Sequence, residues 1–293
     1  MSTPPDQQRR HQSMIHKRLN VVESIPTLPE ILTKVMTMVD DPDASAYDIA
    51  NVVSKDPSLV AAILKVVNSP FYGLSRKVSS VGQAVVFLGF RSIRNLVLSA
   101  QLLKTFGGPS RNQRFNRKAL WKHAIATGAA GKHLAVRANA DPEAVFLTGL
   151  IHDLGCIVLD QYFPEEFSEI LETVERERTR LVDAERKVVG MDHAEIGRLI
   201  CRKWNFPETM AEAIGCHHDP GSASLDPLGT CLIHAADQIA RRLGLDSGLD
   251  PEDEELQPAA LQALELNDPL PSEVLEESLT EYERANIFVG LIS

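Results

Sequence analysis

Seven side chains able to hold a metal lie between residues 123 and 237: His123, the adjacent pair His152 and Asp153, His193, the adjacent pair His217 and His218, and Asp237. Imidazole nitrogen and carboxylate oxygen suit borderline divalent ions such as iron, manganese or zinc, and a carboxylate can bridge two ions where a single imidazole cannot. Neighbouring residues on a helix point about 100° apart. His152 and Asp153 therefore reach one centre only if it lies between those directions, a condition that Asp153 contacting two ions would meet. Any one of these histidines alone is more often a hydrogen-bonded core or surface residue. Seven acceptable ligands on helices expected to pack together are a different case.

The elements that must carry them read as helices throughout. Apolar residues at three-to-four spacing predict a helix opened by Pro29 through Val39, and Ser45 with Asp48 makes a capping-box start for the next. Asp56-Pro57 starts a third, ended by Asn68, Ser69 and Pro70; two more, Val81 to Leu88 and Ser92 to Leu103, flank Gly89. After a Gly-, Ser- and Asn-rich loop from Phe106 to Asn116, helices are expected over Leu120–Arg137, Pro142–Leu159, Glu165–Arg178, His193–Trp204 (capped by Asp192), Phe206–His217 and Leu225–Leu243. Ser272 is expected to cap a last helix through Tyr282. No alternating strand pattern stands out, so the fold class is all-α. The organisation expected is a flexible segment over 1–20, a helical lobe over 21–105, a linker over 106–119, a metal-binding helical lobe over 120–245, and an acidic linker with a C-terminal helix over 246–293.

Composition narrows the function. The chain has 293 residues, 44% of them hydrophobic, which excludes wholesale disorder. Its net charge of −10 disfavours a nucleic-acid binder unless the basic residues are segregated. They are: residues 1–122 carry +9, residues 123–245 carry −7 and residues 246–293 carry −12. The acidic end is thus a candidate to screen the first lobe. Between residues 104 and 122 lie Lys104, Arg111, Arg114, Arg117, Lys118 and Lys122 without an acidic neighbour, a phosphate contact or, more often, a solvated face. His234 shares a helix face with Asp237 and reads as a packed histidine or a partner of the ligands. Four cysteines without CxxC spacing read as reduced thiols of a cytoplasmic protein. No signal-peptide core and no uninterrupted run of about 20 apolar residues is apparent. P-loop, GxGxxG and GxSxG motifs are absent, which removes support for kinase, dehydrogenase and elbow-type hydrolase chemistry.

The order His123, His152-Asp153, Asp237 resembles the H…HD…D signature of the HD superfamily of metal-dependent phosphohydrolases. His193 and the His217-His218 pair are similar to the extra ligands of its dinuclear branch, the HD-GYP cyclic dinucleotide phosphodiesterases. The first lobe is similar to the HDOD module, the HD-related output domain of bacterial signalling proteins. That likeness rests on Ile25-Pro-Thr-Leu-Pro29, Asp56-Pro-Ser-Leu59, Val66-Val-Asn-Ser-Pro70 with Tyr72-Gly73, Ser80-Val-Gly-Gln-Ala84 and Leu88-Gly89. Together the matches span residues 21 to 245.

The resemblance implies a two-lobed helical output module of cytoplasmic bacterial signal transduction. Its HD-like lobe would hold two divalent transition-metal ions, iron or manganese before zinc, with Asp153 bridging and the other six residues as terminal ligands. The expected partner is a signalling protein or a nucleotide ligand; homo-oligomers are compatible with the resemblance, and neither membrane nor DNA is expected. Because the match begins near residue 21, input is expected from a partner, a ligand or expression control. The alternative implied is a phosphohydrolase acting on a nucleotide or cyclic dinucleotide, the ions polarising a phosphoryl oxygen and activating water, and Asp153 central to both. This chain departs from the HD-GYP pattern at three places. Cys156 stands where a lysine would hold substrate phosphate, Asp219-Pro-Gly-Ser222 replaces Gly-Tyr-Pro, and Ala119 stands where trinuclear members have a glutamate. Lys122, Arg198 and Arg202 are the candidates to replace the missing phosphate contact.

Overall fold

The computed structural model describes residues 23–39, 45–250, 255–265 and 270–292, and everything below concerns those residues. The expected segment 1–20 and the most acidic stretch, 251–254, lie outside them. The fold is all-α, with no strand among the described residues. The stretch expected to form the first lobe comprises α1 (Glu30–Val39), α2 (Ala46–Val53), α3 (Pro57–Val67) and α4 (Val81–Phe106). The second comprises α5 (Arg117–Arg137), α6 (Pro142–Ile151), α7 (Leu154–Tyr162), α8 (Pro164–Glu177), α9 (Leu181–Val188), α10 (His193–Lys203), α11 (Glu208–Gly215) and α12 (Pro227–Arg242). Then follow α13 (Pro258–Ala263), α14 (Ser272–Ala285) and a 3₁₀ turn over Asn286–Leu291.

Local chemistry sets most helix starts. Ser45 and Asp48 form the reciprocal capping box, and Asp56 accepts the backbone N–H groups of Ser58 and Leu59 ahead of Pro57. Asp141 caps α6 and Asp192 caps α10 in the same way. Asn68 ends α3 and closes the following loop, donating to Leu64 O and Val78 O and accepting from Val78 N. Inside α4, Gly89 adopts φ +80°, which an L side chain resists, so two helical stretches meet there.

Three differences from the sequence reading have physical causes. The expected helix Pro142–Leu159 is two helices, broken at His152 and Asp153, where Asp153 has φ −97° and ψ 13°. Helix α9, eight residues long and half charged, lies between Arg178 and Asp192, where the sequence reading assigns no element. Ser272 is the first residue of α14 rather than its cap; the capping position is Pro271, without a side-chain bond.

One apolar core runs from Ile25 to Phe288 through both lobes. Phe71 from the first lobe, Phe146 from the second and Phe288 from the C-terminal turn meet with ring centroids 5.0 to 5.2 Å apart. The lobes are further tied by Trp121 Nε1 donating to Phe106 O and Asn95 Nδ2 donating to Glu143 O. A second cluster joins α5 and α12 to Leu256, Ala260, Leu270 and Val274. The described C-terminal residues thus join the core, and Glu277 of α14 pairs with His133 and Arg137 of α5. Phe288→Ala should cost about 3–5 kcal/mol, the usual result of emptying a buried aromatic site. Urea denaturation reads this directly, and an unchanged midpoint would place the C-terminal turn outside the cooperative unit.

Two stretches, Val81–Phe106 and Pro142–Tyr162, have the length and mean hydropathy of a membrane span, which sequence reading had not found. The first is interrupted at Gly89, and the second is 83% buried in this core and broken at the His-Asp pair.

Candidate metal centre

Six elements bring the seven candidate ligands together. His123 sits mid-way along α5, His152 and Asp153 at the α6–α7 break, His193 at the first position of α10, His217 and His218 just after α11, and Asp237 on α12. The break re-aims the pair, so that His152 Nε2 lies 3.3 Å from Asp153 Oδ1. Asp153 is central: its Oδ2 is 3.7 Å from His123 Nε2, and its Oδ1 is 3.3 Å from His193 Nε2 and 3.8 Å from His217 Nε2. On one side His123, His152 and Asp237 have donor atoms within 4.8 Å of one another; on the other, His193, His217 and His218 do. His123 Nε2 stands 2.9 Å from Asp237 Oδ1, and His193 Nε2 stands 2.9 Å from His218 Nε2.

The tautomers are set from behind. Nδ1 of His123 faces Leu245 O at 3.0 Å, that of His152 faces Gly149 O at 2.7 Å, that of His193 faces Glu185 Oε2 at 2.8 Å, and that of His217 faces Ile214 O at 2.6 Å. An oxygen acceptor requires the proton on Nδ1, leaving the Nε2 lone pair for the centre. Nε2 of His123, His152 and His217 is buried without a hydrogen-bond partner. Orphaned buried acceptors are costly, and three aimed at two carboxylates are what a divalent ion satisfies.

Charge agrees with that geometry at Asp237, Asp153 and His217, whereas at His152 and His193 burial, which lowers the imidazole value, is outweighed by Asp153 and by Cys156 and Glu185 respectively, so both lie above the ordinary value with no ion bound. Burial pushes the Asp237 carboxyl up, but Arg241 and His123 more than reverse it and hold the group well below the usual carboxylate range. Asp153 is held low against burial by His152 and His193. His217 is driven well below the ordinary imidazole value by burial and by His218, so it is neutral, as a ligand must be. Cys156 Sγ also lies within reach of Asp153 and His193, but burial pushes its thiol up to about 12. It stays protonated and does not supply the thiolate that zinc favours.

Sequence reading missed the residues that hold these ligands. Glu185 on α9 is fully buried, and its Oε2 accepts from both N and Nδ1 of His193, each at 2.8 Å. The carboxylate behind a metal-ligating histidine is a recurrent arrangement, and its loss typically costs about 10–100-fold in metal affinity. Glu185→Gln is expected to fall in that range in a chelator-competition titration; wild-type affinity would show that the bond only anchors α10.

The phosphate-contact candidates separate. Arg198 lines a pocket of about 440 Å³ beside His218, its Nη2 donating to Cys216 Sγ at 2.8 Å. Arg202 is engaged with Glu208 in an exposed pair, and Lys122 is exposed on α5. Half of the basic run is paired: Lys104 with Asp56, Arg114 with Glu172 and Arg117 with buried Asp160. His234 is no ligand, because its Nδ1 faces His217 O and its Nε2 accepts from Gln257 N. All four cysteines are free and buried.

Comparison with known proteins identifies the family and the fold. Residues 25–220 match the HDOD domain family. An uncharacterised protein of Treponema pallidum is 31% identical over 204 residues; the chain spans about two fifths of its length, and the match covers 68% of this chain. The crystal structure of an HDOD domain protein of unknown function from Geobacter sulfurreducens superposes with a TM-score of 0.69 at 26% identity, over 91% of this chain and 90% of that one. A candidate phosphohydrolase from Shewanella amazonensis shares the fold, with a TM-score of 0.75 at 21% identity over 94% and 98% of the two chains. With two thirds of its length matching one family model and its helices superposing on a member, this chain belongs to the HDOD domain family.

Proposed function

We propose that this chain is a cytoplasmic bacterial signal-transduction output module whose second lobe holds two divalent transition-metal ions, iron or manganese before zinc, and which acts by binding a nucleotide ligand or a signalling partner. The observation that carries the reading is the set of three buried, partnerless Nε2 atoms converging on Asp153 and Asp237. Asp153 lies between a His123, His152, Asp237 side and a His193, His217, His218 side, so its two oxygens can serve an ion each. The mixed nitrogen and oxygen donor set, with the one nearby thiol kept neutral, favours iron or manganese.

Access argues for a sensing or structural centre ahead of a hydrolytic one. His123, His152, His193, His217 and Asp237 are all at most 2% exposed, and the Asp153 side chain keeps 7%. Only His218 among the seven is more than marginally accessible. With Cys156 in place of a lysine, the phosphate clamp of the related phosphodiesterases is incomplete.

A phosphohydrolase acting on a nucleotide or cyclic dinucleotide is the second reading, favoured by the pocket at His218. Bound divalent ions would supply Lewis acidity toward a phosphoryl oxygen. Arg198, on the pocket wall, would orient the phosphate, and the buried histidines would keep the remaining donors fixed. Metal analysis of the purified protein, followed by assays with cyclic di-GMP, cyclic GMP-AMP and generic phosphodiesters under Fe(II) and Mn(II), separates the readings. Two ions per chain without turnover supports the module; metal-dependent turnover replaces it with the hydrolase; protein unable to take up metal overturns both.

A further inference from the structure

The turn that follows α12 occupies a place that composition alone assigns to an exposed acidic linker. It is instead packed: Ser247 is 6% and Leu249 5% exposed, and the Asp250 side chain is 9% exposed. Asp250 uses both carboxylate oxygens on opposite sides of the metal centre. Its Oδ2 accepts from Arg241 Nη1 at 3.3 Å, and Arg241 Nε donates to Asp237 Oδ1 at 3.1 Å. Its Oδ1 accepts from Leu181 N at 2.7 Å, at the first turn of α9. One turn further along α9 stands Glu185, which holds His193 by its backbone N and its Nδ1. The same turn supplies Leu245 O to His123 Nδ1.

Charge gives the arrangement a second purpose. Arg241 is 8% exposed and lies directly behind Asp237. A bare guanidinium there would repel divalent ions across a weakly screened interior. Asp250 cancels that charge while leaving the fork of N–H donors to orient Asp237, a geometry that a guanidinium provides and an ammonium does not.

We propose that Asp250 is a positioning residue of the metal centre, a buried clasp whose single carboxylate ties the Asp237 side to the His193 side and neutralises Arg241 beside them. The inference rests on the reading of the seven residues as a two-ion centre. It differs from a simple capping role, because a lost cap weakens the metal-free and the metal-loaded fold alike.

The test is a chelator-competition titration of the full chain with Mn(II) and Co(II), with cobalt absorption reporting the ligand field. Wild-type protein is expected to bind two ions. Asp250→Asn should weaken both by about 10–100-fold, the range seen when residues behind the ligands are lost, and should alter the cobalt spectrum. Asp56→Ala, which removes the cap of α3 in the first lobe, should leave both unchanged. Should Asp250→Asn fail to fold, Arg241→Lys is the second variant: lysine keeps the charge but cannot orient both carboxylates, and the same loss is expected. Wild-type affinity and spectrum in Asp250→Asn, or in Arg241→Lys where only that variant folds, would overturn the clasp and leave the two-ion centre standing. Wild-type protein that takes up no metal would overturn both.

Discussion

Asp153→Ala is expected to remove one ion of the pair outright and to weaken the other by at least about 100-fold, the upper end of what losing a residue merely behind a ligand costs. Asp153 is the one carboxylate with oxygens facing histidines on both sides, at 3.3 to 3.8 Å from His123, His152, His193 and His217. Asp237 faces only His123 and His152. The variant should nevertheless fold, because Asp153 caps nothing: α7 begins after it without a side-chain cap bond. Burial disfavours its charge, but His152 and His193 outweigh burial and hold the carboxyl well below the usual range, so the metal-free variant should melt somewhat below metal-free wild type, while the further stabilisation that metal gives wild type largely disappears. Metal analysis with thermal melts in the presence and absence of chelator reads both effects. Two tightly held ions in Asp153→Ala would rule out a shared carboxylate.

The seven candidate ligands, which the structure brings together, could be picked out in the sequence because their chemistry is local to each residue and their order is distinctive; what supports them could not. Caps such as Asp56, Asp141 and Asp192 act within three residues, so spacing alone reveals them. The break at His152 and Asp153 sits in an apolar run that continues from Val145 to Leu159, where periodicity cannot distinguish one buried helix from two. Glu185 and Asp250 reach their partners across 8 and 69 positions, Glu185 from a charged stretch with no element assigned and Asp250 from the acidic stretch that composition assigns to solvent. Only tertiary packing turns them inward. Among the phosphate candidates, Arg198 reaches the pocket beside His218 because it shares α10 with His193, whereas Arg202, one turn on, meets Glu208 instead.

Gly155→Ala is expected to be the most damaging single-methyl addition near the site. A Cβ at Gly155 would stand 2.2 Å from His193 O and 2.8 Å from His193 Cα, against backbone that cannot rotate away. Helices α7 and α10 must then part, and they do so where Asp153 and His193 face each other at 3.3 Å. Overpacking costs about 1–3 kcal/mol and occasionally more, and a backbone collision belongs at the upper end. Helix propensity acts in the opposite sense, since alanine is favoured over glycine by about 1 kcal/mol inside a helix. Any net destabilisation therefore measures the collision. Gly82→Ala in α4, where a Cβ meets nothing within 4 Å, supplies the comparison and should be neutral or slightly stabilising. The ion on the His193, His217, His218 side should be lost first in Gly155→Ala, lowering the stoichiometry from two toward one, because His123, His152 and Asp237 do not depend on the α7–α10 contact. Urea denaturation and metal analysis on the same preparations test this, and a variant as stable as Gly82→Ala with both ions bound would show that α7 and α10 are not in the close contact on which the centre depends.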